Sequence, residues 1–131
     1  MIENLKRLCP WLEELRYSYN TLYCLTPGED YDESKNVEPI IINSGYRSPA
    51  VNKLAGGAAN SNHLTGCAVD IRVYGIEQAM RYAVILMDYA DETKQDYDEL
   101  LIERNRSGVY WLHFAVRPKG NRRKTTMLIT P

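Results

Sequence analysis

The run SGYRSPAVNKLAGGAANSNHLTGCAVDI, residues 44–71, limits what this chain can fold into more than any other stretch. It is crowded with glycine, serine and asparagine. Such residues bury little apolar area, and an ordered glycine gives up more backbone freedom than any other residue. The hydrophobic core must therefore come from the sequence on either side, and something other than packing must keep this run ordered.

The flanks can supply that core. Leu5, Leu8, Leu12, Leu15 and Tyr19 recur at spacings of three and four, which predicts an amphipathic helix, bent or begun afresh at Pro10. Residues 26–39, TPGEDYDESKNVEP, read as an exposed, turn-rich loop. PIIIN, residues 39–43, is short and β-branched, as expected of a buried strand delivering the chain to Ser44. After it, Ser48 as N-cap and Pro49 at the first helical position open one or two helical turns, which Gly56 and Gly57 stop.

Beyond the polar run, AVDIRV (68–73) alternates as a strand does, and IEQAMRYAVILMDYA (76–90) is apolar at helical spacing. ELLIER and VYWLHFAV, separated by a loop containing Asn105, Ser107 and Gly108, read as a β-hairpin, and MLI near residue 128 adds an edge strand. At 131 residues the chain is long enough to bury roughly two-thirds of its unfolded surface without staples. The expectation is a single domain over residues 1–131, α+β in class, with helices packed on one face of a small antiparallel sheet.

Sixteen basic against seventeen acidic residues, net charge -1, give no single-sign field of the kind that marks a nucleic-acid or membrane binder, so neither partner is expected. No stretch approaches the ~20 apolar residues of a membrane span. The first residues, MIENLKRLCPWLEELRYSYN, mix charge with apolar residues where a signal peptide needs an unbroken apolar stretch. The expectation is a chain that is cytoplasmic at synthesis, or exported by something outside itself. Cys9, Cys24 and Cys67 form no CxxC pair and read as free thiols.

The chemistry concentrates on few residues. The two histidines, His63 and His113, sit respectively at the end of the polar run and inside the strand VYWLHFAV, and Asp70 opens onto AVDIRV. Two imidazoles and one carboxylate are the ligand set of an open catalytic zinc site, whose remaining position takes water. Such a site also needs a carboxylate as general base, and Glu103, on the strand opposite His113, is the candidate. A hairpin pairing Glu103 with Trp111 or Val109 puts it on the His113 face, whereas a loop of even length puts it on the other.

In order and spacing, SGYRSPAVN, GGAANSNHLTGCAVDI, DELLIE and YWLHFAV resemble the zinc D-Ala-D-Ala carboxypeptidase family of metallopeptidases (peptidase M15-like), which includes phage endolysins and peptidoglycan L-alanyl-D-glutamate endopeptidases. The resemblance spans residues 40–116. It implies a hedgehog/DD-peptidase-like fold, zinc as cofactor, ligands His63, Asp70 and His113, and Glu103 as base. It also implies Arg47 as the arginine that binds substrate and oxyanion, and Ser61 as a hydrogen-bonding residue of the substrate site. The implied activity is hydrolysis of a peptide bond in peptidoglycan stem peptides containing D-amino acids, by a monomer of phage, prophage or cellular origin.

Asn62 stands where many relatives have glutamine, and Cys67 where a charged or small residue is usual. Tyr110 stands where some branches carry a glutamate three residues before the last histidine, which leaves the base to Glu103, with Glu99 and Asp98 as fallbacks. The polar run thus reads as a cleft wall. A serine hydrolase using Ser44 or Ser61 lacks a GxSxG elbow and leaves one histidine unexplained. The remaining alternative is a catalytically inactive cell-wall-binding module, with RPKGNRRKTT (117–126) attracting anionic wall polymers instead of forming a solvated basic tail.

Overall fold

The computed structural model describes residues 1–25, 28–32 and 38–129. The predicted exposed loop at 26–39 falls partly on residues 26, 27 and 33–37, outside those described.

Helix α1, Ile2–Tyr19, runs through Pro10 as one element and continues into a wider helical turn, Asn20–Cys24. Of the predicted stripe, Leu8, Leu15 and Tyr19 are buried while Leu5 and Leu12 are only partly so, and Trp11, which the spacing did not single out, joins them. The packing of that stripe outweighs the hydrogen bond that Pro10 cannot donate. Strand β1, Ile42–Ser44, is a short and mostly exposed edge strand, not the buried one expected over 39–43, because only β2 flanks it. It leads to the short helix α2, Pro49–Leu54, where the Ser48 side chain accepts from the Val51 N–H as an N-cap should. A turn of 3-10 helix, Asn62–Thr65, precedes β2, Ala68–Arg72. Then come α3, Ile76–Thr93, and the hairpin of β3, Glu99–Arg104, with β4, Tyr110–Ala115. The chain closes with β5, Lys124–Ile129.

The α+β expectation holds, with one correction to the sheet. Its five strands run β1-β2-β4-β3-β5, and β5 lies parallel to β3, so the sheet is mixed and not wholly antiparallel. The reason is connectivity: residues 116–123 carry the chain from the end of β4 back to the start of β3, so it re-enters in the direction of β3.

Register then sorts the side chains. Asp70 and Leu101 both pair with His113, Glu103 with Trp111, and Glu99 with both Ala115 and Lys124, so these residues share one face. Val69, Ile71, Leu100, Leu112 and Phe114 point the other way and form the core with α1 and α3. Trp11 is its centrepiece, with ring centroids 5.3 Å from Phe114 and 5.0 Å from Tyr89. Both long helices thus cover one face, as expected, and leave the opposite face to the polar run.

The basic segment at 117–126 is not a solvated tail. Arg122 pairs with Asp98 at 2.9 Å, Arg117 with Asp98 at 3.3 Å, and Arg123 with Asp91 at 2.7 Å. The cysteines are free, Cys67 buried and the other two exposed. Among the described residues no helix is long and apolar enough to cross a membrane.

Candidate metal centre

His63, Asp70 and His113 come from three different elements, and their ligand-type atoms converge to within 4.8 Å of one another. His63 is presented by the 3-10 turn, whose N-cap is Ser61: the Ser61 hydroxyl accepts the His63 backbone N–H at 3.2 Å. Gly66 ends the turn with φ 76°, and a side chain there would meet Met1 and Leu5 at 3.0–3.2 Å. That stop lets the chain enter β2 with Asp70 directly opposite His113.

The protonation of His63 follows from its partners. Its Nδ1 lies 2.7 Å from the Gly45 carbonyl oxygen, which can only accept, so Nδ1 carries the proton. Nε2, buried and without a hydrogen-bond partner, sits 3.3 Å from Asp70 Oδ1. A bare imidazole lone pair therefore faces a carboxylate oxygen in a buried site, an arrangement that a bound cation satisfies. Two imidazole nitrogens and a carboxylate oxygen suit zinc, and the Gly45 carbonyl behind His63 is the outer partner that such a ligand uses.

The charges around the centre are strongly coupled. Burial works against ionisation of Asp70, but the hydrogen bond from His113 and the closeness of both imidazoles hold its carboxyl well below the usual range. Burial likewise opposes charge on His113, yet Asp70 at 3.0 Å from Nδ1 and Glu99 at 3.0 Å from Nε2 push it up to about 9. Glu99 is held low by the His113 hydrogen bond, against the pull of burial. Glu103 moves the opposite way: burial, with the nearby charge of Asp70 and Glu99, raises it, although His113 and the Trp111 N–H pull it down.

Arg47 lies across the site with all three guanidinium nitrogens engaged. Nε donates to Ser44 Oγ at 3.2 Å, Nη1 to Asn52 Oδ1 at 3.3 Å and Nη2 to Asp70 Oδ2 at 3.0 Å. Asn52 is buried and anchored by its donation to the Ala58 carbonyl at 2.8 Å. Gly57 is required here, because a Cβ would stand 2.1 Å from Asn52 Oδ1 and 3.0 Å from Arg47 Nη1.

One open cleft of about 500 Å³ joins the parts: Arg47, Ser61, His63, Asp70, His113 and Glu103 all line it. Glu103 pairs with Trp111, the first of the two predicted registers, and its carboxylate accepts the Trp111 indole N–H. The hairpin closes through Asn105, whose backbone N–H donates to the Val109 carbonyl at 3.0 Å, with Gly108 at φ 83°. Asp98 is wholly buried and bonded to Asn62 and Arg122, so it does not stand in the cleft as a fallback base.

Residue reading overlooked the roles of Asn52 and Asn62. Asn62 donates to Glu99 at 2.6 Å and to Asp98 at 2.8 Å, and accepts from Arg117 at 2.9 Å. The available signal was an amide beside each functional residue block, too common in loops to single out.

The family model for Peptidase M15 matches residues 4–95, a stretch that holds Arg47, His63 and Asp70 and ends before β3 and β4. No curated protein matches the chain.

Proposed function

The chain belongs to the Peptidase M15 family, and on that premise we propose that it is a zinc-dependent peptidase acting on peptidoglycan stem peptides that contain D-amino acids. The bond is of the D-Ala-D-Ala carboxypeptidase or L-Ala-D-Glu endopeptidase type. The observation that carries this reading is the buried, unpartnered Nε2 of His63 facing Asp70 and His113 in a cleft shared with Arg47 and Glu103.

In this reading His63 Nε2, Asp70 and His113 hold the metal. When bound there, zinc supplies Lewis acidity, polarising the scissile carbonyl and making the attacking water easier to deprotonate. Glu103 takes the water proton on its carboxylate and returns it to the amine nitrogen as the C–N bond breaks. A carboxylate raised by burial suits both halves of that exchange, because it takes a proton from water more readily than an ordinary carboxylate and, as a carboxylic acid, still gives it up to an amine. Arg47 offers N–H groups to the developing oxyanion or to a terminal carboxylate of the substrate. Ser61 lines the same cleft and adds a hydroxyl for the peptide backbone.

The test is metal analysis of the purified protein, followed by mass spectrometry of muropeptides before and after digestion. One zinc per chain is expected, lost in His63→Ala and His113→Ala, together with new peptide termini in the digest. Stoichiometric zinc retained by both variants overturns the ligand set, and an unaltered digest from the zinc-loaded protein overturns the substrate.

A further inference from the structure

We infer that Glu99 is a positioning residue for the metal: by accepting the Nε2–H of His113 it fixes that ring so that Nδ1 is the atom offered to the ion. The inference rests on the reading that His63, Asp70 and His113 hold the metal, and goes beyond it by assigning the tautomer and what sets it.

A neutral imidazole has one N–H and one lone pair, and only the lone pair ligates. The two nitrogens of His113 face different groups. Nδ1 is 3.0 Å from Asp70 Oδ1, the same oxygen that lies 3.3 Å from His63 Nε2, so Nδ1 belongs to the metal side. Nε2 points away and lies 3.0 Å from Glu99 Oε1. Glu99 is two positions along β3 from Leu101, which pairs with His113, and on the same face, so the contact is a diagonal cross-strand one built into the register.

Glu99 is itself held. Its Oε1 also accepts from Asn62 Nδ2 at 2.6 Å, and its Oε2 lies 3.5 Å from Arg122 Nη2. Asn62 immediately precedes His63 in the 3-10 turn. One amide therefore ties the turn that presents the first histidine to the carboxylate that orients the second. His63 has the matching arrangement, with the Gly45 carbonyl on the nitrogen turned away from Asp70. With its oxygens engaged in this way, Glu99 stands behind the ligand as its outer partner.

The experiment measures zinc affinity of the full chain by competition with a chromophoric chelator, for the wild type, Glu99→Gln and Glu99→Leu, with circular dichroism as the folding control. Glu99→Leu is expected to bind zinc roughly 10- to 100-fold more weakly, the usual loss for removing an outer partner. Glu99→Gln, whose amide oxygen still accepts the Nε2–H, is expected to stay near the wild type. Side-chain ¹⁵N spectra of the zinc-bound wild type supply a readout that does not depend on a variant folding: His113 should show a protonated Nε2 and a metal-bound Nδ1. Equal zinc affinity in folded Glu99→Leu, or a protonated Nδ1 on His113, overturns the inference and leaves the metal site standing. A wild-type protein that binds no zinc removes the metal reading and the inference together.

Discussion

The two faces of the sheet are built from alternate residues of the same strands, yet they are held in opposite ways. On the helix side, Ile71, Leu112 and Phe114 are fully buried among side chains of α1 and α3, and each contributes through area removed from water. On the cleft side, Asp70, His113 and Glu99 are nearly as hidden, but what hides them is one another, together with Arg47 and Asn62. Area is forgiving, since a neighbour of similar volume can replace a lost one. A ring of paired charges is not, because removing one member leaves its partner buried and unmatched.

The sharpest separation of the faces is Glu103→Gln. Turnover on muropeptides should fall by roughly two to four orders of magnitude, the usual worth of a positioned base. Chemical denaturation should barely move, because the glutamine still accepts the Trp111 N–H and the change removes a charge that burial disfavours. The wild-type turnover should also decline as pH drops through the raised value of Glu103, where the base becomes protonated. Near-normal turnover in Glu103→Gln would break the division by giving the cleft face no catalytic carboxylate at that position.

Phe114→Ala tests the other face. The ring is fully buried against Trp11 and Tyr97, and its removal should cost about 3–5 kcal/mol of unfolding free energy in urea melts. A loss below about 1 kcal/mol, the scale of a surface substitution, would mean that this face is not held by packing.

The smallest effect distinguishes the faces by pH. Asp98 is buried, which favours its neutral form, but Arg122, Asn62 and the charge of Arg117 lower it to about 2. A folded value below the unfolded one favours the native state when the group is ionised. The contribution is therefore complete above about pH 5 and disappears as pH falls through 4 toward 2, amounting to about 2 kcal/mol. Urea melts from pH 6 to 2.5 should show that loss in the wild type and a shallower one in Asp98→Asn. Parallel decline of the two proteins would show that Asp98 is not among the charges that hold the cleft face together.

Much of this arrangement was readable in the chain. The 3.6-residue period marked α1 and α3, period two marked β2 and the hairpin, and the ligand-type residues fell into recognisable blocks. What escaped depends on distances in space that sequence spacing does not encode. The direction of β5 is one case: KTTMLI has strand character but nothing in it names β3 as partner or parallel as orientation. Asn62 and Glu99 meet across 37 positions, and Arg122 finds Asp98 across 24, so an acidic partner for the basic segment was invisible next to it. The choice between Glu103 pairings needed the loop geometry set by Asn105 and Gly108, which composition leaves open.

The triple anchorage of Arg47 has a consequence for recognition. A free arginine side chain samples many rotamers, worth about 2 kcal/mol of entropy. Here Ser44, Asn52 and Asp70 fix the guanidinium through all three of its nitrogens, and Gly57 leaves the space in which they do so. The disorder is surrendered when the chain folds, so under the proposed function a substrate arriving at the cleft would meet a cation already aimed and keep that much more of its contact energy as affinity.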